Sequence, residues 1–156
     1  MNVLSGSHIP ILVKIMSLTD GSVLELGAGF FSTPLFYWLC KAEGREFVSY
    51  ENDKKWCEEI GEMTTYIEDW DKANILSTHW SVMLIDHRPA HRRRIDARRL
   101  KDNADFIIMH DSDMERDRVY GYTEIYPLFK YKYDFTKVKP HTTVLSNFKD
   151  PKLLLT

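Results

Sequence analysis

The sequence predicts an α/β fold: a doubly wound, mostly parallel sheet that ends in an antiparallel hairpin. First, short apolar runs alternate with segments of helical period, which is typical of parallel strands joined by crossover helices. Second, hydrophobic residues make up 44% and charged residues 28%, values that exclude wholesale disorder and a long coiled coil. Third, no repeat or linker divides the 156 residues, so we expect one domain over residues 1–156.

The strands are predicted from short runs rich in β-branched and aromatic residues. They cover 22–26, 46–50, 80–85 and 105–109, with a weak strand in 65–70 and a terminal hairpin of 131–138 and 142–148. The runs 80–85 and 105–109 are apolar enough to be buried on both faces, as the central strands of a parallel sheet are.

The helices are predicted in the segments between these strands. They cover 8–18, 33–42, 53–63, 89–101 and 119–129. Pro34 and Pro89 are suited to a first helical turn, and Asp53 is suited to an N-cap. Gly121 and Pro127 are unfavourable inside the last of these helices.

The charge balance gives no global reason to expect a nucleic-acid or membrane partner, since 21 Lys and Arg face 23 Asp and Glu. The apolar run of residues 9–16 is interrupted by Pro10 and Lys14, and no small-residue cleavage pattern follows it. No stretch reaches the roughly 18 apolar residues of a membrane span. We therefore expect a cytoplasmic protein without a membrane partner.

A glycine-rich turn follows the first strand, and ligands of open parallel sheets bind beyond such strand ends. Gly27 and Gly29 allow a tight turn and a close backbone approach to a ligand, beside the free N–H groups of the next helix. Glu51 ends the second strand 22 residues after Gly29, where an acceptor for ribose hydroxyls is expected. The alternative is a purely structural turn and a surface carboxylate.

With this pair of features, residues 22–148 resemble the class I S-adenosylmethionine-dependent methyltransferases. The run from Val23 to Gly29 is similar to their first motif, Tyr50-Glu51-Asn52 to their ribose-binding strand end, and the hairpin to their last two strands. The resemblance implies a Rossmann-like fold, S-adenosylmethionine as the cofactor and nine cofactor-binding residues. These are Glu25, Gly27, Ala28, Gly29, Ser32 and Glu51, with Asn52, Asp69 and Trp70. Within this set Glu25 and Gly27 would line the methionine part, Glu51 the ribose, and Asp69 and Trp70 the adenine.

The chain departs from that family in two places. Phe31 stands where a third glycine is common, and the third strand is poorly marked. The missing glycine also disfavours a nicotinamide-dinucleotide oxidoreductase, because the pyrophosphate of that cofactor needs a close backbone approach.

Two carboxylates, Asp86 and Asp111, end the two most apolar strands. Adjacent strands lie about 4.8 Å apart, so we expect these side chains near one another. They could bind a divalent cation such as Mg²⁺, share a proton, or cap loops. The placement resembles that in the magnesium-dependent catechol-type O-methyltransferases. However, Ser112 stands where that family has an Asn, and Pro89 stands where it has a Lys. Whether a metal binds here therefore stays undetermined.

Two histidines flank these carboxylates, and a histidine beside a carboxylate can accept a proton near neutral pH. His87 is the first candidate base and His110 the second; the alternative for each is an ordinary loop histidine. With Asp86 and Asp111 they form the predicted catalytic set.

Six arginines lie in the segment from Arg88 to Arg99, in which Asp96 is the single acid. A solvated helix face is one interpretation. Because the helix starts at the site, a contact with a substrate phosphate or carboxylate is another.

These residues predict an S-adenosylmethionine-dependent methyltransferase that acts on an oxygen, or less favourably a nitrogen, of a small polar or acidic acceptor. One alternative is an RNA methyltransferase that uses the Arg88–Arg99 helix, and another is a non-catalytic nucleoside-binding module. The site would be covered by the N-terminal helix of residues 1–20 as a lid, covered by a second subunit in a homodimer, or open to a large substrate.

Overall fold

The structure of the chain is a computed structural model that describes residues 6–155. Its strands are β1 (Val23–Leu26), β2 (Phe47–Glu51), β3 (Thr65–Tyr66), β4 (Trp80–Ile85), β5 (Ala104–His110), β6 (Tyr131–Phe135) and β7 (Thr142–Ser146). Its α-helices are α1 (Ile9–Met16), α2 (Ser32–Glu43), α3 (Lys54–Ile60), α4 (Arg92–Leu100), α5 (Asp117–Tyr120) and α6 (Pro151–Leu155). Within the described part, no helix is long and apolar enough to cross a membrane.

The seven strands form one sheet in the order β3-β2-β1-β4-β5-β7-β6. Strands β1 to β5 are parallel, whereas β7 runs antiparallel to both β5 and β6. Leu26 pairs with Tyr50 on β2 and with Ile85 on β4, so the three central strands end at the same edge. The predicted sheet with its terminal antiparallel hairpin is confirmed.

Both faces of the sheet are covered by apolar side chains, because alternate residues of a strand point to opposite faces. On one face Met83 and Ile107 pack with Leu100 of α4. On the other face Leu84 packs with residues of α1 and α2, among them Leu12 and Phe36. The two layers hold the strand ends rigidly at the edge where polar residues collect.

Helix α1 contributes Ile11, Leu12, Ile15 and Met16 to the core, so this part of the predicted N-terminal helix packs on the sheet. The residues that immediately precede α1, Gly6 to His8, run to the carboxyl edge of the sheet, where His8 meets His110. Residues 1–5 of the expected lid lie outside the described residues.

The predicted helix over 119–129 is wrong. Helix α5 ends at Tyr120 because Gly121 adopts a left-handed conformation, with φ of 66°. Two 3-10 turns follow, and the second of them contains Pro127. The strand predicted in 65–70 is limited to the two residues of β3. The arginine-rich helix starts at Arg92 rather than at Pro89, and helix α6 was not predicted.

The turn after β1 depends on one glycine. Gly27 has a φ of +93°, and a Cβ atom there would lie 2.5 Å from the backbone nitrogen of His87. The backbone of this turn therefore packs directly on the backbone that follows β4. No other residue fits both the conformation and the space.

We expect Gly27→Ala to lower the free energy of unfolding by at least about 2 kcal/mol more than Gly44→Ala does. Gly44 is a matched control because its φ is also positive, at +67°, but no atom lies within 4 Å of its Cβ position. Urea unfolding of both variants measures the difference. Equal losses would show that the close approach at Gly27 contributes nothing.

Candidate functional site

A cavity of about 460 Å³ opens at the carboxyl edge of the sheet, within the usual size range of small-molecule sites. Its walls come from the turns after β1, β4 and β5, from the end of β2, and from the segment before α1. The β1 turn, β2 and α3 contribute Ala28, Gly29, Phe30, Phe31, Ser32, Glu51, Asp53 and Trp56. The remaining walls consist of His8, Asp86, His87, Arg88, Arg93, His110, Asp111, Arg116 and Pro140.

The glycine-rich turn and Glu51 lie side by side and are joined by a hydrogen bond. One Glu51 carboxylate oxygen accepts the Ala28 N–H at 2.9 Å, and the other accepts the Asn52 and Asp53 N–H groups at 2.8 Å each. Burial raises the pKa of Glu51, and the three N–H bonds oppose that rise. A carboxylate has about four acceptor positions, so one remains for a ligand hydroxyl.

Trp56 forms an aromatic wall beside this carboxylate. Its indole N–H donates to the Ala28 carbonyl at 2.6 Å, and its ring centroid lies 4.6 Å from that of the exposed Phe30. Helical spacing places Trp56 on one face of the predicted helix over 53–63, but this spacing does not reveal the turn that the ring meets.

Asp69 and Trp70, expected at the adenine, do not line the cavity. Asp69 caps a 3-10 turn. Trp70 is buried, with its ring centroid 4.3 Å from that of His87 and its N–H donating to the Arg88 carbonyl at 2.8 Å. Trp70 thus supports His87 from behind.

Glu25 and Gly27 also lie behind the cavity wall. Glu25 is fully buried, and one of its carboxylate oxygens accepts hydroxyl hydrogen bonds from Thr33 and Ser49, both at 2.7 Å. Its other oxygen has no partner among the described residues. Burial raises the pKa of Glu25 to about 7. The side chain therefore joins β1 to α2 and β2 rather than facing a ligand.

Asp86 and Asp111 lie close together, as predicted, and Arg93 bridges them. Its guanidinium is 2.9 Å from an Asp86 oxygen and 3.1 Å from an Asp111 oxygen, and it donates to the His87 carbonyl at 2.8 Å. Burial alone would raise the pKa of Asp86, but the His110 hydrogen bond and the Arg93 charge outweigh it and lower that pKa. Asp111 also pairs with Arg116 at 2.8 Å.

This arrangement does not fit a resident Mg²⁺ ion. Oxygen and nitrogen atoms of Asp86, His110 and Asp111 do lie within 4.8 Å of one another, a spacing that a cation could use. Yet the buried Arg93 already supplies a positive charge to both carboxylates. A divalent ion would have to displace a guanidinium that four acceptors hold in place, since Arg93 also donates to the Asp86 and His87 carbonyls.

His87 is a neutral imidazole with one free nitrogen. Its Nε2 lies 2.9 Å from an oxygen of Asp96. Burial alone would raise the pKa of Asp96, but the hydrogen bonds from His87 and Arg92 lower that pKa to about 2. An ionised carboxylate only accepts, so Nε2 carries the proton. Burial lowers the pKa of His87, and its buried Nδ1 has no partner among the described residues.

His110, the second candidate base, has both ring nitrogens engaged. Its Nδ1 lies 3.2 Å from an Asp86 oxygen and its Nε2 lies 3.0 Å from the Ser7 hydroxyl oxygen. The Ser7 hydroxyl donates to the Pro140 carbonyl at 2.7 Å. Of the two candidates, His87 therefore has the free lone pair.

The sequence analysis missed His8, because only tertiary packing brings it to the cavity. The ring is buried, and its centroid lies 4.4 Å from that of His110. Burial, followed by the nearby His110, lowers the pKa of His8 to about 4. The ring is therefore neutral at physiological pH, and His8 is one of the residues that line the cavity.

Most arginines of the Arg88–Arg99 segment are not free to bind a phosphate. Arg93 is buried, Arg92 and Arg99 pair with Asp71 and Asp96, and Arg94 pairs with Glu124. The expectation of a phosphate-binding helix face is corrected accordingly. Arg88 is exposed and lines the cavity, and Arg116 does so from the turn after β5.

Several solved structures have the same fold. The N-terminal domain of human METTL16 in complex with SAH is 10% identical, with a TM-score of 0.55 over 96% of this chain and 73% of that one. A methyltransferase from Pyrococcus furiosus is 13% identical, with a TM-score of 0.54 over 90% and 83%. The 23S rRNA methyltransferase ErmE is 18% identical, with a TM-score of 0.52 over 97% and 74%.

No protein-family model matches the sequence, and no curated protein matches it. At these low identities the structural likeness concerns the fold. It shows that the chain has the Rossmann-like fold of class I methyltransferases, as the motifs of the sequence implied.

The raised pKa of Glu25 makes folding stability depend on pH. Because the folded state binds this proton more tightly than the unfolded state, stability falls as pH rises from about 4.5 to about 7. Over this pH range we expect the wild type to lose free energy of unfolding on the order of 3 kcal/mol. Glu25→Gln, which removes the charge and keeps the shape, should abolish this loss. Urea unfolding at pH 4.5 and pH 8 measures it, with the exposed Glu62→Gln as control. Parallel pH profiles for the wild type and Glu25→Gln would contradict a neutral buried carboxyl.

Proposed function

We propose that the protein is an S-adenosylmethionine-dependent methyltransferase. The observation that carries the proposal is the hydrogen bond between Glu51 and the glycine-rich turn, in the same cavity as a histidine with a free ring nitrogen. In this fold the first feature suits a nucleoside cofactor and the second suits removal of a proton from an acceptor.

The cofactor would bind along the wall formed by the β1 turn and β2. Glu51 has an acceptor position left for a ribose hydroxyl, and Ala28, Gly29 and Ser32 line the same wall. Trp56 and Phe30 offer aromatic faces for adenine, in place of the expected Asp69 and Trp70. Asn52 contributes its backbone N–H to Glu51.

When bound, S-adenosylmethionine supplies a methyl group on a positively charged sulfur, so transfer mainly needs an aligned acceptor atom. The carbon–sulfur bond breaks as the bond from carbon to the acceptor atom forms, and S-adenosylhomocysteine remains. His87, whose buried Nδ1 has no partner among the described residues, would take the acceptor proton once the acceptor atom reaches that nitrogen. Asp96 holds the opposite nitrogen and stabilises the imidazolium that results.

We further propose that the acceptor is RNA. The fold likeness to a 23S rRNA methyltransferase supports this class, as does the exposed Arg88 at the cavity. An RNA strand would need an open site, so neither a lid nor a second subunit is required. A small acidic acceptor is the second candidate. The ion pairs of α4 neutralise most of its arginines, so the basic surface that remains is small and suits a small anion.

The first test is calorimetric titration with S-adenosylhomocysteine. We expect micromolar binding to the wild type, a loss of at least about tenfold in Glu51→Gln because a charged acceptor is removed, and no dependence on Mg²⁺. Glu46→Gln, at the other end of β2, is the control and should bind as the wild type does. No binding to the wild type would overturn the proposed activity, and tighter binding with Mg²⁺ would overturn the metal-free site.

The second test measures transfer of a radioactive methyl group to unmodified ribosomal RNA. We expect transfer that weakens with added salt, and Arg88→Ala should reduce the salt slope by about 1 because it removes one phosphate contact. Arg98→Ala, an exposed arginine of α4 outside the cavity, is the control. Methylation of small acids but not of RNA would favour the second candidate.

A further inference from the structure

The inner part of the cavity contains a polar side chain that nothing in the described structure satisfies. His8 is 4% exposed, and neither ring nitrogen has a hydrogen-bond partner within residues 6–155. An imidazole buried in this way loses its bonds to water without replacing them, which destabilises the free protein. Such a group is expected where a ligand supplies the missing bonds.

The ring of His8 is held in place although its nitrogens are free. It packs edge-on against His110, which is itself fixed by Ser7 and Asp86. Ser7 in turn bonds to the Pro140 carbonyl before β7. These contacts fix the position of the His8 ring in the wall of the cavity.

The charges around His8 indicate what the ring can bind. The carboxylates of Asp86 and Asp111 are already paired with Arg93 and Arg116. A neutral imidazole adds one N–H donor and one nitrogen acceptor. The inner cavity therefore suits an uncharged group that carries a donor and an acceptor, whereas the rim, with Arg88 and Arg116 exposed, suits an anion.

This polarity matches a nucleotide whose base points inward and whose phosphates lie at the rim. A base edge carries neutral donors and acceptors, and enzymes that modify a base read that edge in a pocket. We propose that His8 is an acceptor-binding residue that hydrogen-bonds the edge of the RNA base to be methylated. The inference rests on the proposed function, and it assigns the base to the side of the cavity opposite Glu51.

The first experiment needs no acceptor. His8→Leu removes the unsatisfied ring and keeps an apolar side chain of similar size, so the thermal midpoint of the free protein should rise by about 2–4 °C. His79→Leu is the matched control and should not raise it, because His79 lies at the other end of β4 and already bonds to Asp105 at 2.9 Å. An unchanged or lower midpoint in His8→Leu would overturn the unsatisfied state on which the proposal depends.

The second experiment is nitrogen-15 NMR of the histidine rings in the protein saturated with S-adenosylhomocysteine. Adenosine, guanosine, cytidine and uridine are added one at a time at millimolar concentration. We expect at least one nucleoside to shift both ring nitrogens of His8, and His8→Leu to bind that nucleoside at least tenfold more weakly. If no nucleoside shifts His8, or if His8→Leu binds it as the wild type does, the proposal is wrong.

The proposed activity and the proposed base contact can be overturned separately. Loss of S-adenosylhomocysteine binding in the wild type would overturn the methyltransferase. Normal binding of S-adenosylhomocysteine, with no nucleoside-induced shift of the His8 ring nitrogens, would overturn only the base contact. Restored nucleoside binding in His8→Asn, which keeps one donor and one acceptor, would support hydrogen bonding over packing as the role of this residue.

Discussion

The Arg93 bridge between Asp86 and Asp111 is the interaction on which the site depends. It joins α4 to the turns after β4 and β5, and it places a positive charge between two neighbouring carboxylates at a partly buried edge. Without the guanidinium, the two negative charges would repel each other and each would lose its partner, which is among the most costly changes in a protein interior. The same bridge makes a divalent cation unnecessary, so the positive charge comes from the chain itself.

Three histidines share the cavity, and their hydrogen-bond partners give them different roles. His110 is engaged at both nitrogens and serves as a fixed wall. His87 is engaged at one nitrogen by Asp96, which leaves the other as a proton acceptor. His8 is engaged at neither, which suits it to a ligand. The residue type is the same in each case, and only the surroundings distinguish a structural, a catalytic and a binding role.

Much of the fold could be predicted because its signals are local. The runs that became β4 and β5 are mostly apolar, and the hairpin strands flank a proline-containing turn. The segment 119–129 could not be predicted in the same way. It has helical apolar spacing, but the left-handed Gly121 and the Pro127 ring stop the helix, and packing on the sheet then selects short turns.

The sequence by itself determined the mostly parallel sheet and the places of the glycine-rich turn and of Glu51 at strand ends, because strand positions and strand ends follow from apolar pattern and spacing. It also placed Asp86 and Asp111 on neighbouring strands. Only the tertiary structure decided what neutralises them, which histidine keeps a free nitrogen, and that Trp56 rather than Trp70 lines the cavity. These outcomes depend on contacts between distant segments, such as Ser7 with His110, and no local pattern encodes such a contact.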